Sequence, residues 1–379
     1  MNKQTYPFKL VVQRFTVIVL IVIILVSCEI LPSTIASETT QTTIDPSTDA
    51  ALAQPLETEV ITPPALPEPF QTPLLNPLDV PRTYAQDTCR YLRNKWNPLN
   101  AGPGTVVMVM IINKINKGTG ESPDGVNIID LIKIMDHLKA QGFETVATKQ
   151  LIAFMERNIK IPARSVVIIQ NGNYDTEYFE KYFGGYYENW GWTIINGWVS
   201  EPNTPEELWL ENIALERQGW VDHQAQGVLP DTKLSDDSAK AVIARELEGP
   251  LNTFLERYQK KPQIIIWPNG GFGLRPIEAA RLLGYRLGFT ANARGPVMYN
   301  WVPLADEFDP QRPSHAPEGR INDPLMTLPS YTPNQVLNAI DVVRATGKEA
   351  AAYAEANKEV EHEYYRIVCE ADYGRMPTP

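Results

Sequence analysis

The residues Gln170-Asn171-Gly172 stand where a catalytic strand end would carry carboxylates. Val166, Val167, Ile168 and Ile169 precede them, a β-branched run that reads as a buried strand, and the Asn-Gly pair then turns the chain. Carboxylates at such a point could take up a proton or hold a metal ion. Side-chain amides keep the shape and hydrogen bonding of a carboxyl group, but they accept no proton near neutral pH and bring no charge. Asp175 and Glu177 follow, and they suit a solvated helix start, where acids complement the dipole. The four histidines are dispersed: His137 and His362 fall in helical stretches, His315 in a loop, and only His223 lies at a strand end. Its neighbour Asp222 faces the opposite way if the strand is regular. One imidazole and one amide make a poor site for zinc, which takes three protein ligands in catalytic centres.

Aromatic residues offer a second kind of chemistry. Tyr174, Tyr178 and Tyr182 are spaced four apart, and Tyr186, Tyr187, Trp190 and Trp192 follow. Such rings stack on sugar faces, although this spacing also describes a helix packing an aromatic stripe on a sheet. Trp267, at the end of an apolar strand, is the expected wall of a cleft. Trp267, Asn269 and Tyr174 are the candidate substrate-binding residues.

The elements that must position these groups alternate. Strands are expected over 105–112, 144–148, 166–170, 192–195, 220–223, 263–267, 285–290 and 325–328. Helices are expected over 127–141, 149–158, 175–183, from 204, within 235–260, over 276–283 and over 333–366. Thr204 reads as a helix cap with Pro205 at the first helical position, and Gly142 as a helix stop. Strands alternating with helices in this way imply a parallel sheet, closed or nearly closed into a barrel. Residues 295–324, rich in proline and charge, read as a long loop across one barrel end. No dinucleotide-binding or Walker-type glycine loop is present.

The order and spacing of several segments resemble the polysaccharide deacetylases of the NodB-homology family (carbohydrate esterase family 4). They are Leu138–Phe143, Val166–Tyr174, Gly219–Gly227, Ile264–Gly271 and Leu282–Phe289. The resemblance implies an α/β fold, a distorted (β/α) barrel of the NodB type. It also implies metal-assisted removal of N-acetyl groups from an amino sugar, with one aspartate as base and an aspartate and two histidines on a divalent metal. Carried onto this chain, Gln170 takes the base position, Asn171 and His223 take ligand positions, and Gly227 replaces the second histidine. Asn113 stands where the family's first strand closes with histidine. No catalytic or metal-binding residue is therefore assigned, and no cofactor is expected unless the protein is active, when zinc would be. The expectation is a non-catalytic glycan-binding or scaffold homologue. The alternatives are an active N-deacetylase of a cell-surface polysaccharide or peptidoglycan, and a structural partner of an envelope complex.

The ends of the chain speak to location. Lys3, Lys9 and Arg14 precede an apolar run over 15–26 that ends in Leu25-Val26-Ser27-Cys28. This describes an export signal with a lipobox-like ending, which makes Cys28 a lipidated residue, the alternative being a single membrane anchor. Residues 29–85, first Ser/Thr-rich and then Pro-rich, read as a disordered linker, leaving 86–379 as the deacetylase-like domain. Outside the cytosol Cys89 and Cys369 are expected to pair rather than remain buried thiols. A bridge closing so long a loop contributes about 4–5 kcal/mol on the chain-entropy account. The formal charge of −11 without a basic stripe argues against nucleic acid as a partner. The expected partners are a cell-envelope glycan and, through the lipid anchor, the membrane.

Overall fold

A computed structural model describes residues 62–118, 125–308 and 316–378. Cys28, His315 and most of the 29–85 linker lie outside the described residues. In chain order the strands are β1 Asp79–Arg82, β2 Val106–Ile112, β3 Ile115–Asn116, β4 Val126–Asn127, β5 Glu144–Thr145 and β6 Arg164–Asn171. They continue as β7 Ile194–Trp198, β8 Val221–Ala225, β9 Ile264–Ile266, β10 Leu287–Phe289 and β11 Val302–Ala305. The helices are α1 Thr88–Lys95, α2 Ile128–Ala140, α3 Thr148–Arg157, α4 Thr176–Phe179, α5 Gly185–Trp190 and α6 Glu206–Gln218. After them come α7 Lys240–Arg257, α8 Leu274–Leu283, α9 Glu318–Ile321, α10 Pro333–Tyr364 and α11 Glu370–Tyr373.

The main sheet runs β10-β9-β8-β7-β6-β2, all parallel, with β5 paired to the lower half of β6. Helices carry the chain from each strand to the next, as parallel pairing requires. No regular strand fills the gap between β10 and β2. Residues 328–331 bridge it instead: Leu328 exchanges backbone bonds with Gly288 and Thr290 (2.8 and 2.9 Å), and Tyr331 with Val109 and Ile111 (2.8 and 2.9 Å). The sheet therefore closes into a distorted α/β barrel. The strand expected over 325–328 is instead a 3-10 turn, Pro324–Met326, followed by these isolated bridges.

Alternation along the strands separates two apolar layers. Val107, Val109 and Ile111 of β2, Val167 and Ile169 of β6, and Ile264 and Ile266 of β9 fill the barrel interior. Val106, Met108, Met110 and Ile112, with Val166 and Ile168, face the surrounding helices α2 and α10. All seven residues of β2 are buried, as a strand covered on both faces must be. Each contributes roughly 1.5–3 kcal/mol of apolar transfer free energy before the cost of ordering the chain.

Local chemistry sets most boundaries. The Asn127 side chain caps α2 by accepting from the Asp130 N–H at 2.9 Å, and Gly142, at φ +76°, turns the chain out of it. Thr204 is not the cap of α6: its hydroxyl bonds the Glu201 carbonyl at 2.9 Å, Pro205 has an extended ψ of 139°, and the helix begins at Glu206. The helix expected over 175–183 loosens to π geometry at Glu180–Gly184 and resumes as α5.

Two expectations about organisation need correction. The linker assigned to 29–85 does not extend to 85, because residues from about 66 pack on the domain. Phe70 lies 5.8 Å from Trp301 and 5.7 Å from Tyr353, and β1 pairs antiparallel with β11. Asp79 pairs at 2.8 Å with the buried Arg294, whose other partner is Glu318 at 2.5 Å. The proline-rich composition that suggested disorder instead suits an extended strap. Likewise the described part of 295–324 is not one long loop. Val297 bridges Val107 at the N-terminal end of β2, and β11 lies within this segment. Cys89 and Cys369 form the expected disulfide, with Cα atoms 5.4 Å apart.

Candidate functional site

The C-terminal ends of the barrel strands open into a cleft of about 660 Å³. Six side-chain amides line it: Asn113, Asn171, Gln226, Asn269, Asn334 and Gln335. Tyr174, Trp267, Phe289 and Tyr331 supply aromatic rings, and Thr290, Ser330 and Thr332 supply hydroxyls. Among the described residues the lining contains no Asp, Glu, His, Lys or Arg.

Strand alternation decides which residues reach this cleft. Asn171 continues the inward side of β6 after Val167 and Ile169. Its Nδ2 donates to Asn113 Oδ1 at 2.8 Å, while its own Oδ1 is buried with no partner among the described residues. That oxygen lies against Gly197, where a Cβ would approach it to 2.6 Å, so only glycine fits there. The turn behind Asn171 is held firmly. Gly172 N donates to the Gly197 carbonyl at 2.9 Å and to Gln226 Oε1 at 3.3 Å, and Asn173 bonds both backbone groups of Val199 at 2.7 and 2.9 Å.

Gln170, carried to the base position, does not line the cleft. It is fully buried on the outer side of β6, where Nε2 donates to the carbonyls of Ile112 (3.1 Å) and Asn171 (2.9 Å). Its Oε1 accepts from the Tyr178 hydroxyl at 3.2 Å. It is a structural amide that ties β2, β6 and α4 together.

His223, carried to a ligand position, does not reach the cleft either. It sits fully buried on the outer face of β8, with Nδ1 2.7 Å from Glu216 Oε2 and Nε2 2.9 Å from Asn212 Oδ1. Asn212 Nδ2 donates to the carbonyls of Tyr174 and Leu208, both at 2.9 Å, which fixes Oδ1 towards the ring. Tyr258 stacks on the imidazole at 4.9 Å. Burial pushes the His223 pKa down, against the pull of the Glu216 carboxylate. Burial also pushes Glu216 up, but the His223 N–H and the Lys260 ammonium outweigh it and hold that carboxyl at about 2. Nothing in this arrangement faces the cleft.

The residue that β8 sends to the mouth is Gln226, on the face opposite His223. That face begins with Asp222, which is bonded to Thr148, Gln224 and Lys260. Counting alternate residues from Asp222 would have found Gln226. Gly227, carried to the second histidine position, has φ +90°, and a Cβ there would meet Glu246 Oε2 at 2.8 Å and Pro268 Cγ at 2.9 Å. Neither the backbone nor the space admits a histidine.

The three candidate binding residues do reach the cleft. Trp267 is 2% exposed, held by a 2.7 Å bond from Nε1 to the Met326 carbonyl, so it forms a fixed floor. Asn269 adopts a left-handed conformation (φ 47°, ψ 30°) and donates to the Pro230 carbonyl at 3.1 Å. Tyr174 stacks on Tyr178 at 3.9 Å and donates to the Asn113 carbonyl at 3.0 Å. Burial pushes its phenol pKa up, so it keeps its proton. Tyr182 is buried in the outer layer, and Tyr187 and Trp190 pack on Trp220 and Trp192, outside the cleft. Asp175 caps α4 by accepting from the Tyr178 N–H at 2.8 Å.

Chemically, the cleft offers paired donors and acceptors, aromatic faces and no group that exchanges protons near neutral pH. Among the described residues no group of three or more His, Cys, Asp or Glu could hold a metal ion. The amides at the mouth carry no charge to retain a dication, so the residues present do not fit the metal implied by the sequence resemblance.

No family model matches the chain, and no curated protein matches it. Among solved structures, it is similar to a Streptococcus pyogenes deacetylase, PplD, determined with acetate (12% identity, TM-score 0.47, covering 62% of this chain and 98% of that one). It is also similar to a polysaccharide deacetylase from Bacillus cereus (12%, 0.47, 62% and 69%) and to IcaB from Ammonifex degensii (12%, 0.47, 64% and 98%). These likenesses concern the arrangement of strands and helices, and nothing beyond the fold follows from them.

Proposed function

We propose that this protein is a polysaccharide deacetylase-like component of the cell envelope that binds an uncharged glycan without hydrolysing it. The observation that carries the reading is the cleft lining: six amides and four aromatic rings, with no charged side chain among the described residues. Sugar hydroxyls and acetamido groups are both donors and acceptors, as amides are, and sugar ring faces stack on aromatic residues. A general base or metal ligand is what hydrolysis would add, and Gln170 and His223 are turned away from the cleft. The expected anchor at Cys28 would hold the domain at the membrane, outside the cytoplasm.

The test is to titrate the purified protein with neutral chito-oligosaccharides and peptidoglycan fragments by calorimetry. Bound metal and released acetate are measured in the same samples. Binding without acetate release, weakened at least tenfold by Asn171→Ala or Gln226→Ala, is the expected result. Stoichiometric zinc with steady acetate release would establish the hydrolase instead. A flat response to every glycan would point to a structural partner whose cleft is unused.

A further inference from the structure

At the base of the barrel, opposite the cleft, lies a second cavity of about 260 Å³ that shares no lining residue with the first. We infer that it is a separate binding site for a small uncharged molecule built on one ring and carrying a hydroxyl or carbonyl oxygen.

Its walls come from the strap at Leu66–Phe70, from α1, from Gly102–Thr105, from Met298–Trp301 and from the second half of α10. Besides Phe154, five aromatic residues line it: Phe70, Tyr91, Tyr299, Trp301 and Tyr353. They contact one another around the space, with Phe70 5.8 Å from Trp301 and 5.7 Å from Tyr353, and Tyr91 5.8 Å from Tyr299. Ring faces and edges on several sides favour a ligand that is itself a ring. Gly102, Gly104, Ala350 and Ala354 keep the space open by having little or no side chain.

One end of the cavity is polar. The side chain of Lys95 is 12% exposed and donates to Glu361 Oε1 at 2.7 Å, and the Trp96 indole N–H takes Glu361 Oε2 at 2.7 Å. Among the described residues Glu361 is the one hydrogen-bond acceptor that Lys95 has, so the ammonium retains donors for a ligand oxygen. Its charge is already balanced by Glu361, so an anion would gain Lys95 and be repelled by Glu361 in equal measure. A neutral acceptor meets no such conflict. The Cys89–Cys369 bridge fixes α1 to the chain beyond α10, so these walls stand ready-made and binding orders little.

The test uses the full chain and four probes: phenol, acetophenone, toluene and benzoate, titrated by tryptophan fluorescence and ligand-observed NMR. Saturable binding of phenol and acetophenone is expected, at least tenfold tighter than toluene, which lacks the oxygen, or benzoate, which is charged. Ala350→Phe should abolish it by filling the space, and Ala354→Leu should weaken it at least tenfold, each with far-UV dichroism confirming the fold. Asn171→Ala at the other end should leave it unchanged. Failure of every probe to saturate by about 10 mM, unaltered binding in folded cavity-filling variants, or a preference for benzoate would each overturn the assignment.

Discussion

Replacing His223 with alanine separates a structural histidine from a metal ligand. The imidazole is fully buried, stacks on Tyr258 at 4.9 Å, and occupies one oxygen each of Glu216 and Asn212. Glu216 Oε2 keeps the His223 backbone N–H at 2.8 Å, so the carboxylate remains partly satisfied in the variant. Asn212 Oδ1 does not, because its amide is pinned by two donations on the other side. An orphaned buried acceptor costs about 1–3 kcal/mol, and the space left by the ring about 2–3 more. His223→Ala should therefore destabilise the fold by about 3–6 kcal/mol. The shift is read from urea unfolding by far-UV dichroism, with the slope against urea unchanged. Glycan affinity below the unfolding transition should match the parent within twofold, because the side chain never reaches the cleft. A variant of parental stability that has lost glycan or metal binding would refute this placement.

Further expectations follow from the same contacts. Gly227→Ala forces a side chain into a φ of +90° against Glu246 and Pro268, and should cost at least about 2 kcal/mol in the same unfolding assay. A chain beginning at residue 86 loses Asp79, a partner of the buried Arg294, and the β1–β11 ribbon, and should unfold about 3–5 kcal/mol more easily than one beginning at residue 62. The pH profile of stability should fall on the acid side. Glu216, at about 2 in the fold against an ordinary 4.5, contributes stability present above 4.5 and lost as pH drops towards 2, about 3 kcal/mol in all. His223, whose folded pKa lies below its ordinary 6.5, adds to the same fall, because the unfolded chain takes up its proton first as pH drops below 6.5. His223→Gln should flatten the upper part of that profile, and an unchanged profile would contradict it. Reduction of Cys89–Cys369, or Cys89→Ser, should lower stability by about 4 kcal/mol, measured with and without reductant.

The barrel strands were legible because each is a short apolar run flanked by turn residues, and burial on both faces leaves no competing pattern. The closing stretch 328–331 was not. Two separated bridges need no strand-length apolar run, so they leave no period to read. The strap over 62–85 was misjudged for a related reason. Proline-rich sequence lacks periodicity whether it is free or laid on a surface, and what orders it here lies more than two hundred residues away, at Arg294, Trp301 and Tyr353. Composition reports local preference, and long-range partners decided the outcome.

The site was legible in kind and misplaced in detail. The end of β6 does reach the cleft, through Asn171, and Trp267, Asn269 and Tyr174 line it as well. Matching motifs by spacing put His223 there as well, whereas the two-residue period of a strand puts it behind the sheet and sends Gln226 forward. The same period separates Gln170, bound to the backbone of the neighbouring strand, from Asn171, which faces the opening. An aspartate at 170 and a histidine at 227, as the resemblance would have them, would therefore not build a metal centre. An aspartate at 170 would be buried under Tyr178, and a histidine at 227 would collide with Glu246 and Pro268. On the non-catalytic reading proposed above, the backbone course at 170 and 227 stands against a metal centre as much as the side chains do, and an amide-lined cleft is what that course supports.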